Sequence, residues 1–459
     1  MTNKLDLMEN GSVKKALAWL AAPAIIALVI QTLYGVTDTV FVGHGLGDNG
    51  VLGLGALTIA FPIVYLIIAA SSGVGVGGSS YISRGFGAKD LDRVKKGVGN
   101  MIILGLVVSL IFTAGGIFLL EPLLNLFGAT ESILPFAKEY MFWILLGCVF
   151  QVMTIVLSAV VMAEGNSTYI MVMYIASSLT NIVLDYVFIF IFDWGIAGAA
   201  IATVIAQMLN FIILIVYLYS VSSLKFNIRW IVFNKIVSFD IVKVGVSEFV
   251  REGSLSIMFI LINHNLVVYG DDAAIAIFGL INRIFGVAIL PVIGLIQAMI
   301  PLTGFNYGAK NYERVREFFK TATLWAVASS LVLGIISYVY TAEIFALFTT
   351  DAVLIEEAVI AYWIADLSIP IVAFMIAGSA FLQALGKAKE SFFLTIARQV
   401  LILPVIAVVP IFLGLMGVWV SFPIVDTLAG ILTLWFVLRQ WKILKKEEEE
   451  YKEKKASVL

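Results

Sequence analysis

The sequence predicts an all-α polytopic membrane protein: twelve transmembrane helices in two six-helix lobes related by pseudo-two-fold symmetry. Three observations predict it. The 459 residues are 61% hydrophobic and only 13% charged, with mean hydropathy +1.03, a balance that excludes a soluble multidomain chain. Twelve stretches reach the length of ~20 apolar residues that a spanning helix needs. Finally, GAKDLDRVK from Gly87 returns as GAKNYERVR from Gly308, an offset of 221 residues.

The first span, 16–42, follows the basic pair Lys14 and Lys15 and contains Pro23, which removes a backbone hydrogen bond fifteen residues before Asp38. The second, 51–80, ends in SSGVGVGGSS. Its GxGxxG-like spacing has no strand before it, so it reads as close helix packing and not as a nucleotide site. The spans 96–120 and 134–162 follow, the latter bearing Tyr140, Gln151, Thr154 and Ser158. The fifth and sixth, 167–192 and 195–221, are separated only by an Asp/Gly signal at Asp193 and Gly195. The second half supplies 239–268, 274–303, 317–341, 354–384, 389–413 and 415–440, the last pair split by Gly414. The tail KKEEEEYKEKK reads as a solvated helix end. No cleavable signal peptide is expected, because the first apolar stretch ends in no small-residue cleavage site.

The repeat holds register at further landmarks. Leu126 and Phe127 map to Leu347 and Phe348, and Gly165 maps to Gly386; near Gly198 and Gly417 the offset slips to 219. Six helices per unit is an even number, so both halves enter the membrane from one side, as parallel repeats do in two-lobed transporters. The division gives an amino-terminal lobe, 1–221, and a carboxy-terminal lobe with a charged tail, 222–459. Lys and Arg fix orientation: 25 of 29 lie in the tails and even-numbered loops, against Lys138 alone on the opposite side. Both termini are therefore expected in the cytoplasm. The remaining three, Arg251, Arg283 and Arg398, fall within apolar segments.

Asp38 and Asp185 are the main functional signal. Each sits deep in a spanning stretch, where a carboxylate costs roughly 2.5 kcal/mol or more and must face the protein interior or a watery cavity. Gln31, Tyr34 and Asp38 share a face of the first helix, and Tyr174, Ser178, Asn181 and Asp185 share one of the fifth. The sixth offers Thr203, Gln207 and Asn210. For the Ser, Thr and Gln members, interhelical glue at ~0.6 kcal/mol per contact is an equal alternative to function. Two carboxylates in one low-dielectric pocket either share a proton or hold a cation between them. Oxygens of Asp38, Asn181, Asp185 and Thr203 suit a hard cation such as Na+, so proton and sodium stay open. Carried forward by 221, Asp38, Asn181 and Asp185 land on Phe259, Ile402 and Ile406, which predicts a polar pocket in the first half alone.

Other chemistries find no support. Cys148 is the only cysteine, which excludes intrachain disulfides. His44 and His264 lack an HExxH or Cys partner for zinc. No P-loop, kinase set or GxSxG elbow is present, so no cofactor, enzyme activity or nucleic-acid partner is expected. Glu248, Arg251 and Glu252 have the spacing of a local ion pair, with a second coupling site as the alternative; Asp366 and Asp426 stay open.

The chain resembles the multidrug and toxic compound extrusion (MATE) family of transporters, most closely its DinF-like branch, over essentially its whole length. The resemblance rests on YGVTDTVFVGHGLG at 34–47, GFGAKDLDRVKK at 85–96 and TNIVLDYVFIF at 180–190. It implies a V-shaped, alternating-access antiporter that exports amphipathic organic cations in exchange for H+ or Na+, a monomer in the plasma (inner) membrane. It implies Asp38, Asn181, Asp185 and Thr203 as the cation site. Gln31, Tyr34, Tyr140, Gln151 and Ser178 would line the adjoining cavity, and Pro23 would be a hinge. Other branches of that family place acids in the carboxyl lobe; Glu248, Glu252 and Asp366 would be the stand-ins here, without a motif that carries the role over. A lipid-linked oligosaccharide flippase of the same superfamily and an ion channel are the alternatives.

Overall fold

The computed structural model describes residues 4–269, 272–346 and 352–456. Asp271, Leu347, Phe348 and the side chains of Phe259, His264 and Arg283 lie outside the described residues. A short helix, α1 (Lys4–Asn10), precedes α2 (Val13–Gly45), α3 (Gly50–Gly87) and α4 (Leu91–Phe118). Then come a short α5 (Leu120–Leu126), α6 (Leu134–Ala163), α7 (Ser167–Asp185) and α8 (Gly195–Val216). The second half comprises α9 (Lys235–Tyr269), α10 (Asp272–Gly308), α11 (Tyr312–Val339), a short α12 (Thr341–Ala346), α13 (Ala352–Asp366), α14 (Ile369–Ala384), α15 (Ala388–Leu413) and α16 (Leu415–Ala456). Ten described helices are long and apolar enough to cross a membrane, and α13 with α14 forms one more span bent by 40°. The twelfth expected span is α9, whose middle carries Glu248, Arg251 and Glu252. All twelve expected spans thus fall on helices.

Packing repeats in the two halves. In the first, α2 packs on α7, α3 and α4 on α6, α6 on α8, and α7 on α8. In the second, α9 packs on α15, α10 and α11 on α14, α14 on α16, and α15 on α16. The contacts between halves are symmetric too: α3 lies along α9 as α10 lies along α2, and α3 meets α10 between them.

The sequence repeat marks where the chain must turn. Lys89 and Lys310 both adopt positive φ, 58° and 57°. Asp90 and Asn311 then cap the next helix, accepting from the backbone N–H of Arg93 at 2.9 Å and of Arg314 at 3.3 Å. One motif therefore ends a helix, turns and restarts it, twice. Gly165 and Gly386 likewise share positive φ, 77° and 73°.

Between the lobes, the same motif permits close approach. A Cβ on Gly87 would stand 1.7 Å from the Phe305 carbonyl oxygen, and one on Gly308 would stand 2.0 Å from that of Arg84. Arg84 and Phe305 are themselves 221 residues apart, so the two contacts are symmetry mates lying about the pseudo-two-fold axis. Further along α3, Gly73 and Gly77 face Gly245 on α9, the close packing expected of the SSGVGVGGSS stretch.

Three features differ from the sequence expectation. The helices overrun the apolar stretches, α3 to Gly87 and α10 to Gly308, because the opposing lobe covers their polar, glycine-rich ends. The stretch 354–384 is broken after Asp366, with Pro370 in the first turn of α14. And the tail is not merely solvated: the side chains of Arg316 and Glu448 meet at 2.6 Å with only 15% and 16% of each exposed. Lys310 also lies 5.0 Å over the Tyr451 ring.

Candidate functional site

The site is built on α2, α6, α7 and α8. On α2, Val36 and Val40 are 58% and 47% exposed while Asp38 between them is 8% exposed. On α7, Leu179 and Val183 face outward, whereas Asn181 and Asp185 are 1% and 0% exposed. Each helix thus turns its apolar residues to lipid and its polar stripe inward. Because α2 packs along α7, Asp38 and Asp185 come within electrostatic reach of one another and of Tyr34 and Tyr140. Thr203 and Asn210 are buried on α8, which packs on both α6 and α7, and Ser178 is buried on the same α7 face as Asp185.

Directly after Asp185 the chain passes into a π-helical turn, Tyr186–Ile191. Such widened turns interrupt the regular ladder and recur at functional sites. Phe190 of this turn stacks edge-on against Phe41 of α2, with ring centroids 5.7 Å apart. The two acid-bearing helices are therefore clamped just beyond their acids. The π turn has no counterpart in the sequence expectation.

The polar atoms of this site are poorly satisfied. Among the described residues none pairs with Asp38 Oδ1, both carboxylate oxygens of Asp185, the Asn181 amide, Thr203 Oγ1, Gln151 Oε1, Gln207 Oε1 or Asn210 Oδ1. A buried polar atom left unpaired costs about 1–3 kcal/mol, so this concentration suits a polar guest such as a proton or a hard cation. No group of three or more His, Cys, Asp or Glu able to hold a metal occurs among the described residues. The donor set is two carboxylates with amide and hydroxyl oxygens. Gln207 and Asn210 join the expected residues, and their spacing with Thr203 on α8 was the signal for them.

Pro23 lies inside α2, which runs as one helix from Val13 to Gly45. Glu248 and Glu252 both grip Arg251, at 2.5 Å each. Asp426 accepts from Arg398 at 2.6 Å and from Ser368 at 2.7 Å. The Tyr362 hydroxyl lies 2.6 Å from Ser337 Oγ and 3.1 Å from Asp366 Oδ1. The second lobe is therefore not devoid of buried polar groups, as the mapping onto Ile402 and Ile406 suggested. Those two positions are indeed apolar and buried, but the lobe places acids elsewhere and pairs them.

The lobes meet at the end bearing the basic turns. There Ser80 Oγ donates to the Gln383 carbonyl at 2.5 Å and Arg84 to that of Leu385 at 3.3 Å. A guanidinium at the carboxyl end of α14 also suits its helix dipole. These contacts have no mark in the sequence, because nothing local signals a partner about 300 residues distant.

Two windows of the chain, 23–187 and 253–408, match the MatE family model. The Multidrug export protein MepA of Staphylococcus saprophyticus is 26% identical over 437 residues, 95% of each chain. Among solved structures, an outward-facing multidrug resistance MATE family transporter superposes with TM-score 0.91 at 27% identity, covering 97% of this chain and 99% of the other. A MATE in the bent conformation gives TM-score 0.90 at 27% identity, covering 98% and 100%. With twelve spans in two lobes and both windows matched, the chain belongs to the MatE family and is a multi-pass membrane transporter.

Proposed function

We propose that the protein is a cation-coupled multidrug antiporter, exporting amphipathic organic cations by alternating access with H+ or Na+ as coupling ion. One observation carries this reading: two buried carboxylates on neighbouring helices, surrounded by polar atoms with no partner among the described residues. A cation entering from the far side neutralises the Asp38–Asp185 pair. It favours one arrangement of α2 and α7 only through its different affinity for the two states. Asn181 and Thr203 complete the cation site. Gln31, Tyr34, Tyr140, Gln151 and Ser178 line the route of the substrate, and Pro23 lets α2 bend as the charge on Asp38 changes. The relative's name, a multidrug export protein, supports the substrate class.

The protein acts as a monomer in the plasma membrane with both termini cytoplasmic, needs no cofactor and catalyses no reaction. The basic bias supports this orientation, and with it the end at which the lobes meet through Arg84 and Gly308 faces the cytoplasm. Purified protein in proteoliposomes should expel a fluorescent organic cation when either a pH or a sodium gradient is imposed separately. Efflux indifferent to both gradients would overturn the proposal. In a Cys148→Ala background, Asn49→Cys should label from outside only.

A further inference from the structure

The short helix α1 is polar in sequence, yet Met8 at its centre is fully buried. Its surroundings come from both lobes. From the second lobe, Asn306 Nδ2 and Arg314 Nη2 both donate to the Met8 carbonyl oxygen, at 3.1 and 3.2 Å. Arg314 Nε also donates to Asn306 Oδ1 at 3.1 Å, which holds the two donors together. Asn306 is only 1% exposed, so this is a buried polar contact and not a surface association. From the first lobe, the Met8 sulfur packs where Gly165 lacks a side chain; a Cβ there would stand 3.0 Å from it. Glu9 adds an exposed ion pair with Lys89 at 3.5 Å, worth little alone.

Asn306 and Lys89 lie beside Gly308 and Gly87, the glycines about the pseudo-two-fold axis. The helix therefore crosses a seam where the lobes approach closely. If that seam opens, Met8 cannot keep both sets of partners. We propose that α1 is a removable strap, which stabilises the state closed at the basic end and must release from one lobe before that end opens. The proposal rests on the alternating-access reading for the opening itself.

The test measures access and not efflux. Ser83 lies fully buried on α3 beside Gly304 of the second lobe. In a Cys148→Ala background, Ser83→Cys should react slowly with an impermeant maleimide applied at the basic end. Deletion of residues 2–10 should accelerate labelling at least about threefold, and so should Met8→Asp in the full-length chain, which covers the case of a truncation that misfolds. A peptide of residues 1–12 added to the truncated protein should restore slow labelling. If an imposed cation gradient changes labelling but neither variant does, the strap is wrong while alternating access stands. If neither the gradient nor the variants change labelling, both ideas fail.

Discussion

In the second lobe Arg398 and Asp426 meet at 2.6 Å, Ser368 fills the other carboxylate oxygen, and Arg251 joins Glu248 to Glu252. A chain of hydroxyls, Ser247, Ser391, Ser379 and Thr395, runs beside them with contacts of 3.1–3.2 Å. In the first lobe Asp38 and Asp185 are as deeply buried, but their oxygens have few or no partners among the described residues. The two lobes share a packing order and turn motifs at fixed offset, so duplication built both. The second copy holds Asp426, Glu248 and Glu252 on arginines; the first satisfies Glu164 with Tyr217 and Ser222 but gives Asp38 and Asp185 no such partner among the described residues. Paired charge favours a fixed structure, whereas a buried carboxylate without a partner is disfavoured unless it is protonated, hydrated or bound to a cation.

The sharpest way to break this contrast is to neutralise the first-lobe acids. Asp38→Asn and Asp185→Asn should each lower gradient-driven efflux at least about tenfold, and neither should lower the thermal stability of purified protein, since each removes a buried charge that lacks full compensation. Wild-type pumping by both variants would leave the coupling site without support. The second-lobe change should do the reverse. Asp426→Asn breaks a buried pair, which costs about 3–5 kcal/mol, so it should show first as a lower melting temperature and poor yield. A stable Asp426→Asn protein with lost coupling would mean that the two lobes had been assigned the wrong roles.

Much of this was legible in the chain. The spans follow from apolar length, and Asp38, Asn181 and Asp185 follow from helical spacing, because one polar residue per turn or two in a lipid-facing helix has only one direction in which to point. The tight turns at Lys89 and Lys310 were legible as a repeated motif, though not as positive-φ residues. What could not be read depends on contacts between distant segments. Met8 in a polar leader, the π turn after Asp185, and Arg84 on the end of α14 carry no local signature. The pairing of Asp426 with Arg398 was equally silent, since 28 residues separate them and no helical periodicity relates them. A buried acid is visible in sequence; whether it has a partner is not.

A smaller effect sharpens the picture of the first-lobe site. Asn181→Leu and Thr203→Val each remove an oxygen that has no partner among the described residues. They should weaken the apparent affinity for the coupling cation by about tenfold, equal to ~1.4 kcal/mol, while leaving the maximal efflux rate within a few-fold of wild type. Efflux titrated against the driving cation at fixed substrate separates the two quantities. An unchanged half-saturating concentration in both variants would confine the site to the carboxylates.

The smallest effect is expected at the position that the repeat equates with Asp185. Ile406 is 3% exposed in the apolar cluster of Phe278, Tyr362 and Trp419. Ile406→Val trims one methylene from this cluster and should cost about 0.5–1.5 kcal/mol of stability, read as a modest fall in melting temperature. Coupling should not move, because no titratable or cation-binding group is altered and the symmetric counterpart lies in the other lobe. Measured beside Asp185→Asn, the pair separates packing from charge at equivalent places in one fold. A shift in cation dependence from Ile406→Val, as large as that from Asn181→Leu, would show that the second lobe takes part in coupling through its apolar core, and the division of labour between the lobes would have to be redrawn.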